Sequence, residues 1–235
     1  MIEIEGLSGS WGRREAVTDV CLKIRNGHAY AVVGPRGAGK STLLDMIAGV
    51  LEPMSGTVTV GGYDMATHPR EAKRQIGYFS ETLSLFAHMT VRECLTFVAE
   101  ARGTRKSKIE RQVEDVLALC RLDGVQNRLM QTLPRADRSR VGIAQALMGN
   151  PETILLDDPL AGLSPRMTAT TLAILETVHE THTLVIAATD AAPFGALCDC
   201  VIRMDGGRVL SVEETIPRVP ETDVSGDLTD EEVTD

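Results

Sequence analysis

One stretch restricts the fold of this chain more than any other: Gly34-Pro35-Arg36-Gly37-Ala38-Gly39-Lys40-Ser41-Thr42. It fits the pattern G-x-x-x-x-G-K-[ST], in which a glycine-rich turn and a helix N-terminus surround a chain of phosphates with backbone N–H groups. The pattern has this meaning only between a buried strand and a helix. Residues 29–33 form an apolar, β-rich run, and apolar residues recur at helical spacing over 43–48, before Gly49. The sequence therefore predicts a strand, a phosphate-binding loop and a helix, in that order.

All nine residues of the loop are candidates for binding a nucleotide. Lys40 would reach the β- and γ-phosphates as a point charge, and the Ser41 hydroxyl would be a ligand for Mg²⁺. The expected ligands of this site are therefore ATP and Mg²⁺.

The charge of the chain is unevenly distributed. Of the net charge of −9, residues 213–235 contribute −8, because they contain nine acidic residues and one arginine. The rest of the chain is nearly neutral, which argues against nucleic-acid binding through basic patches. The acidic segment has no aromatic residue, so we predict that residues 213–235 form a disordered tail that folding does not need.

Neither membrane insertion nor disulfide bonding is expected. The chain has no run of about 18 apolar residues, and its N-terminus does not resemble a signal peptide. The five cysteines are odd in number, and Cys198-x-Cys200 lacks zinc-site spacing. We expect reduced, buried cysteines in a cytosolic protein.

Strands and helices alternate on both sides of a central helical stretch. This alternation implies a mostly parallel sheet with helices on both faces. The central stretch contains capping-box patterns at Thr90–Glu93 and Ser107–Glu110, and a third helix is predicted from about Asp137. These three helices form an inserted subdomain at about residues 80–150.

The order of motifs resembles the nucleotide-binding subunit of an ATP-binding cassette (ABC) transporter over about residues 1–212. Ile76-Gly77-Tyr78 and Thr90-Val91-Arg92-Glu93 resemble the single-domain ATPases of the exporter type. The resemblance implies a P-loop NTPase with a mostly parallel core sheet, an antiparallel β subdomain and the inserted helices. It also places Trp11 where the family has an aromatic residue that stacks on adenine. The alternative is a turn residue that packs on the first hairpin.

The family's motifs for hydrolysis are altered in this chain. By resemblance, Asp157 would hold Mg²⁺, and the next position, a glutamate that activates water in the family, is Asp158. The family's glutamine at the start of the helical subdomain is Glu81, whose carboxylate would still be a ligand for Mg²⁺, and its switch histidine is Thr189. Asp158, Glu81 and Thr189 are the candidate catalytic residues. A carboxylate displaced by about 1 Å can cost on the order of 100-fold in rate. The altered motifs therefore imply that this chain hydrolyses ATP slowly or not at all.

The family's signature L-S-G-G-Q corresponds to Leu133-Pro134-Arg135-Ala136-Asp137. In the family this segment covers the γ-phosphate of ATP on a second subunit. Pro134 offers neither hydroxyl nor N–H, and Arg135 adds bulk where glycine allows close approach. The alternative to a phosphate-covering segment is an ordinary loop that leads into a helix. Ser164 replaces an aspartate that contacts the other subunit, and we expect it to retain only the role of N-cap.

The resemblance implies an ATP-binding subunit that lies on the inner face of the cell membrane and couples its nucleotide state to a separate permease. The permease would dock beside Glu81 and residues 83–100. A heterodimer with a second, competent ATPase is favoured, because two copies of this chain would form two defective sites, although a homodimer is possible. An ordinary active transport ATPase also fits the motifs, as does a non-transport regulatory or scaffold protein. A chromosome-structure ATPase is disfavoured, since the chain has no room for a coiled-coil arm, and a small P-loop kinase fits the later motifs poorly.

Overall fold

The structure is a computed structural model that describes residues 1–11, 14–80 and 86–214, the side chains of residues 11 and 14 excepted. The strands are β1 (Ile2–Trp11), β2 (Arg14–Ile24), β3 (Ala29–Val33), β4 (Ser55–Val60), β5 (Tyr63–Asp64), β6 (Ile76–Phe79), β7 (Thr153–Asp157), β8 (Thr183–Ala188), β9 (Cys200–Asp205) and β10 (Arg208–Glu214). The α-helices are α1 (Lys40–Ile47), α2 (Pro69–Arg74), α3 (Val91–Ala101), α4 (Lys106–Leu119), α5 (Arg135–Leu147) and α6 (Pro165–His179).

The first sheet is antiparallel and has the strand order β2-β1-β4-β5. Buried and more exposed residues alternate along its strands, as expected for a sheet with one face on the core. In β1, Ile2 and Ile4 are buried, while Glu5 is exposed. This sheet is the antiparallel β subdomain that the resemblance implies.

The second sheet has the strand order β10-β9-β3-β8-β7-β6. All neighbouring pairs in it are parallel except β9 and β10, which form a hairpin through a turn at Gly206-Gly207. Every residue of β3, β7 and β8 is buried, which fits continuous apolar strands covered on both faces. The predicted fold class, a mostly parallel core sheet with an antiparallel sheet and inserted helices, is confirmed.

The core consists of two clusters on opposite faces of the second sheet. Successive residues of β3 show the division, because Tyr30 and Val32 belong to one cluster and Ala31 and Val33 to the other. The first cluster fills the space between the two sheets and includes the buried face of α1. The second contains the apolar faces of α3, α4, α5 and α6.

Helix α5 lies directly on the backbone of the edge strand β6. A Cβ atom added to Gly77 would lie only 1.9 Å from the carbonyl oxygen of Ala146, so no side chain fits between the helix and the strand. On the same strand, the Arg102 guanidinium donates a hydrogen bond to the carbonyl oxygen of Ile76 at 2.8 Å. The inserted helices are thus joined to the sheet by backbone contacts as well as by the core.

Of the two predicted capping boxes, one is confirmed. The Glu93 carboxylate accepts a hydrogen bond from the Thr90 N–H at 2.8 Å, and the Thr90 hydroxyl accepts one from the Glu93 N–H at 3.2 Å. The box predicted at Ser107 is wrong. Helix α4 begins at Lys106, so Ser107 already lies in the first turn, and the N-cap residue Arg105 makes no side-chain capping bond.

The bounds of two elements differ from the prediction, and two short elements were not predicted. Helix α5 begins at Arg135, two residues before the predicted start, with Pro134 as its N-cap. The sequence analysis missed β5 and α2, which are short. Strand β10 extends to Glu214, so the first two residues of the predicted tail pair with β9. The remaining tail, 215–235, lies outside the described residues, and the division of the chain into domains stays a prediction.

The five cysteines are all free, as predicted. Four of them are buried, but Cys21 is exposed, so the expectation of burial is wrong for that residue. None of the helices in the described ranges has the length and apolar character that a bilayer crossing requires.

Candidate functional site

The predicted phosphate-binding loop connects the buried strand β3 to α1, at the carboxyl edge of the parallel strands. Gly39 precedes the helix with a φ of 97°, a left-handed conformation that favours glycine. A Cβ atom at Gly34 would lie 2.0 Å from the carbonyl oxygen of Met204. Both glycines are therefore required by the conformation and packing of the loop. Gly49 follows α1 with a φ of 66°, as the predicted C-terminal cap should.

Lys40 lies at the first position of α1, with its side chain folded back along the loop. Its ammonium group donates hydrogen bonds to the carbonyl oxygens of Gly34 at 2.8 Å and Pro35 at 2.9 Å. Burial lowers the pKa of Lys40 from its ordinary value of 10.5, and the nearby carboxylates of Asp157 and Asp158 oppose that shift. The cation thus lies close to both aspartates at the end of β7.

The side chains of Ser41, in α1, and Asp157, at the end of β7, are in contact. The Ser41 hydroxyl donates a hydrogen bond to the Asp157 carboxylate at 2.9 Å, although 116 positions separate the two residues in the chain. Asp157 is nine-tenths buried at the last position of β7. These two oxygen donors are of the kind that Mg²⁺ prefers, and a magnesium site with one or two carboxylates plus phosphate is common. The pair that the sequence predicts for the metal is therefore brought together.

Asp158 follows β7 in an unusual backbone conformation. Its φ is 50°, and its N–H donates to the carbonyl oxygen of Ala187 at 2.9 Å. That bond fixes the residue against the end of β8. Thr189 is the first residue after β8 and is exposed. Of the predicted catalytic residues, Asp158 and Thr189 therefore lie at the same edge of the sheet as Lys40.

The segment that corresponds to the signature makes its contacts within this chain. Asp137, the acid expected to face a phosphate, forms an ion pair with Arg140 on the same helix. The Ser139 hydroxyl donates to the carbonyl oxygen of Pro159 at 2.8 Å. The guanidinium of Arg135 packs over Gly162, where an added Cβ would lie 3.1 Å from its central carbon. The segment thus rests against the loop that follows β7.

Three other predicted residues have different outcomes. Ser164 occupies the N-cap position of α6, but its side chain makes no capping hydrogen bond, so the expected capping role is wrong in that respect. Glu81 lies outside the described residues. The same holds for the side chain of Trp11, so adenine stacking stays a prediction.

The structure adds residues that the sequence analysis did not identify. A cavity of about 270 Å³ over the loop is lined by residues 37–42 together with Glu15 and Ala16 of β2. A Cβ atom at Gly39 would lie 2.2 Å from the Ala16 carbonyl oxygen, and the Gly207 N–H donates to the Ala38 carbonyl oxygen at 3.1 Å. These contacts join segments that are distant in the chain, and no local pattern marks them.

Comparisons with known proteins agree with this geometry. The family model described as ABC transporter matches residues 17–161. The sulfate/thiosulfate import ATP-binding protein CysA of Gloeobacter violaceus is 38% identical over 213 residues, which cover 90% of this chain and 62% of that protein. The methionine import ATP-binding protein MetN 2 of Pectobacterium atrosepticum is 34% identical, over 89% of this chain and 65% of that protein. The chain therefore spans less than two thirds of the length of these relatives.

Solved structures show the same fold. An ATP-binding subunit of an ABC transporter superposes with a TM-score of 0.81 at 28% identity, over 91% of this chain and 90% of the other. A dimeric ATP-binding cassette, MJ0796, bound to ADP and Pi has a TM-score of 0.83 at 22% identity, over 92% and 99% of the two chains.

Proposed function

The chain belongs to the ABC transporter family, and we propose that it is the ATP-binding subunit of a transporter, which binds Mg-ATP and hydrolyses it slowly or not at all. The observation that carries the proposal is the meeting of Lys40, Ser41 and Asp157 at one edge of the sheet. An ammonium group, a hydroxyl and a buried carboxylate are the groups that a P-loop presents to the phosphates and the metal.

The residues present fit a magnesium ion. Ser41 and Asp157 would hold it, and the ion would neutralise charge on the phosphates of the nucleotide. The hydrogen bond between the two side chains, 2.9 Å long, keeps both oxygens at the end of the loop. Lys40 contributes the fixed positive charge, since its ammonium is already positioned by two carbonyl oxygens of the loop.

Slow hydrolysis is supported first by Asp158. Its carboxylate is one methylene shorter than the glutamate that the family uses to activate water, and the hydrogen bond from its N–H to Ala187 restrains its backbone. That hydrogen bond opposes a shift of the main chain that would make up the missing length. Thr189 offers a short hydroxyl in place of the imidazole that the family uses next to the γ-phosphate, so it cannot reach as far or carry a charge.

The signature segment supports slow hydrolysis by two copies of this chain. The N-cap of α5 is Pro134, which has no N–H or hydroxyl to offer to a phosphate. Asp137 and Ser139 have partners within the chain. A second subunit with an intact signature would provide what this segment lacks, and we therefore favour a heterodimer over a homodimer.

We propose a permease in the membrane as the other partner. Both curated relatives are named as import ATP-binding proteins, and their names favour import over the export that the sequence motifs suggest. Because one relative is named for sulfate and the other for methionine, no substrate is assigned to this chain. The permease would hold the subunit at the inner face of the membrane. Purification of the full chain with its partners tests this step. Co-purification of a polytopic membrane protein is expected, whereas soluble partners alone would favour a regulatory or scaffold protein.

The nucleotide site is tested by calorimetry with Mg-ATP and the full chain. We expect a dissociation constant in the micromolar range and a loss of affinity of about 100-fold in Lys40→Ala, because the phosphates lose a charge-assisted partner. Lys106→Ala is the matched control, since Lys106 is exposed on the distant helix α4. Equal affinities for the wild type and Lys40→Ala would contradict the proposal.

Hydrolysis is tested separately by steady-state phosphate release. The isolated, unmodified chain is expected to turn over well below about 1 s⁻¹, the lower end of ordinary enzyme rates. A rate at or above that value would contradict slow hydrolysis and would indicate an ordinary transport ATPase.

A further inference from the structure

A groove runs between helix α4 and the turns that precede β7 and β8. Its volume is about 640 Å³. Its charged lining residues are Arg105, Lys108, Arg111 and Asp115 of α4 and its N-cap, and Asn150 and His182 border it from the two turns. We call it the α4 groove. It lies at the amino edge of the parallel strands, opposite the phosphate-binding loop.

The α4 groove is positively charged. Arg105, Lys108 and Arg111 are exposed, and in the described part of the chain the only ion pair they make joins Arg111 to Asp115 at 3.8 Å. They lie in the first two turns of α4, where the helix dipole is also positive, and the first turn contains no acidic residue. Burial lowers the pKa of His182, so this residue adds no positive charge at neutral pH. The three cations and the helix end outweigh the single lining carboxylate, that of Asp115, so the groove has a net positive charge.

The groove also has an apolar floor, formed by Val116, Leu119 and Leu147. Val116 and Leu147 are buried, and Leu119 is partly exposed. A ligand that fits both the rim and the floor would combine several negative charges with a few aliphatic side chains.

The sequence that follows Glu214 has this composition. Its 21 residues include seven acidic residues and one arginine. The acids are densest over residues 227–235, where Leu228 and Val233 alternate with them. Like charges so closely spaced repel one another, and an array of cations would relieve that repulsion.

The position of Glu214 brings this segment to the groove. Glu214 pairs with Cys200, the first residue of β9, and so lies at the amino edge of the parallel strands. Asn150 and His182 precede β7 and β8 at the same edge. In the strand order β10-β9-β3-β8-β7, three or four strand spacings separate the two places, or roughly 15–20 Å. A disordered chain of 21 residues, as the composition of this segment predicts, has a root-mean-square length of roughly 25 Å, which is enough to span this distance.

We propose that residues 215–235 bind in the α4 groove of their own chain through their carboxylates. The length of the segment matches the distance from Glu214 to the groove, so its local concentration at the groove is in the millimolar range. Weak contacts are therefore enough for binding. The surroundings direct the segment to this groove. The neighbouring cavity at the same edge is lined by Glu152, Glu176 and Glu180, which repel it. The contact is electrostatic, and salt therefore weakens it.

Carbodiimide cross-linking of the full chain tests this proposal, because the reagent joins a carboxylate to an amine only where the two touch. Lys108 provides the amine in the α4 groove. Lys106 is the matched reference, since it is exposed on the same helix but does not line the groove. At low salt, mass spectrometry is expected to find tail carboxylates joined to Lys108 several-fold more often than to Lys106 or the exposed Lys73. In 0.5 M salt this preference is expected to disappear. Equal yields at the three lysines at low salt would overturn the proposal.

Two further measurements sharpen the test. In a mixture of ¹⁴N- and ¹⁵N-labelled chains the cross-links should join segments of one isotope, and mixed cross-links would overturn binding within one chain. Arg105→Gln/Arg111→Gln keeps the Lys108 amine but removes two cations, and should lower the Lys108 yield several-fold. Arg70→Gln/Arg74→Gln, on the exposed side of α2, is the matched control and should leave that yield unchanged. Equal yields in the two double variants would also overturn the proposal.

Discussion

The phosphate-binding loop and the signature segment of this chain hold their polar side chains in different ways. In the loop, Lys40 donates to carbonyl oxygens of the loop itself, and Ser41 donates to Asp157. In the signature segment, Asp137 is paired with Arg140, and Ser139 donates to Pro159. The first set of contacts lies at the mouth of a cavity, whereas the second joins α5 to its own surroundings.

The difference indicates how binding and structural roles can be distinguished in one fold. A phosphate or a metal ion can replace the contacts of Lys40 and Ser41 without leaving a buried group unpaired. Replacement of the Asp137–Arg140 pair would leave two largely buried charges to be compensated, since only 15% and 14% of these side chains are exposed. We therefore expect changes in the loop to affect nucleotide binding, and changes in the signature segment to affect stability as well.

The largest expected effect is that of Gly34→Ala in the loop. The new Cβ would lie 2.0 Å from the Met204 carbonyl oxygen, so strand β9 or the loop must move. We expect the free energy of unfolding to fall by about 3 kcal/mol, the upper part of the usual range for overpacking. Chemical denaturation measures this. Gly124→Ala is the control, because no atom lies within 4 Å of its added Cβ. Equal stabilities of the two variants would show that the loop can move to admit a methyl group and that its packing does not require Gly34.

The second effect concerns the rate of ATP hydrolysis. It tests whether the residues around Lys40 and residues 133–137 limit that rate independently. Asp158→Glu/Thr189→His repairs the side of the site around Lys40. On its own it should change phosphate release little, because two copies still present residues 133–137 to each other. On the order of 100-fold more turnover is expected when that variant is mixed with a chain that carries Lys40→Ala and the family signature at 134–137.

The mixing partner is designed so that it cannot bind nucleotide itself and can supply only the signature. The same Lys40→Ala chain without the restored signature is the control and should give no increase. If the double variant alone reached the full rate, residues 133–137 would not limit hydrolysis, and the contrast between the two regions would be lost.

A smaller effect is expected for Asp137→Ala. It leaves Arg140 largely buried without its carboxylate, although Arg140 still donates to the Arg121 carbonyl oxygen. We expect a loss of about 1–2 kcal/mol in the free energy of unfolding. Glu3→Ala removes the carboxylate from the exposed pair with Lys23 and should cost less than about 0.5 kcal/mol. Thermal unfolding of both variants at equal ionic strength would compare the pairs, and equal losses would show that Asp137 has no structural role.

The smallest effect is expected outside both regions. Removal of residues 215–235 should shift the melting temperature by no more than a few degrees, because the segment contains few core-forming residues. Truncation after Val212 should cost more, since it also removes Glu213 and Glu214 of β10, and Glu213 pairs with Arg203 at 3.1 Å. A larger loss from the shorter deletion would contradict the view of the tail as an addition to a complete fold.

The fold could be predicted from the sequence wherever local patterns determine it. The loop motif, the continuous apolar strands and the Thr90 box each depend on residues a few positions apart, and all three are confirmed. The box at Ser107 failed because its pattern matches any Ser-x-x-Glu, while the start of α4 depends on the turn after α3. The short elements β5 and α2 carry too few residues for a period to be recognised.

The site could be predicted only in part for a similar reason. The motif and the resemblance identified Lys40, Ser41 and Asp157, which the structure brings together. The contribution of Ala16 depends on how β2 passes over the loop, and the pairing of Asp137 with Arg140 depends on where α5 begins. The packing of distant segments and the exact start of a helix are not encoded in any short stretch of sequence.

The close approach at Gly77 has a mechanical consequence. Because the backbones of β6 and α5 touch at Gly77, with no side chain between them, rolling or sliding of the helix on the sheet is restricted at that point, unlike in the small shear movements of packed helices. We therefore expect α5 to move with the sheet in any swing of the inserted helices. The end of α5 that carries residues 135–140 would then be a fixed surface for the second subunit that we propose.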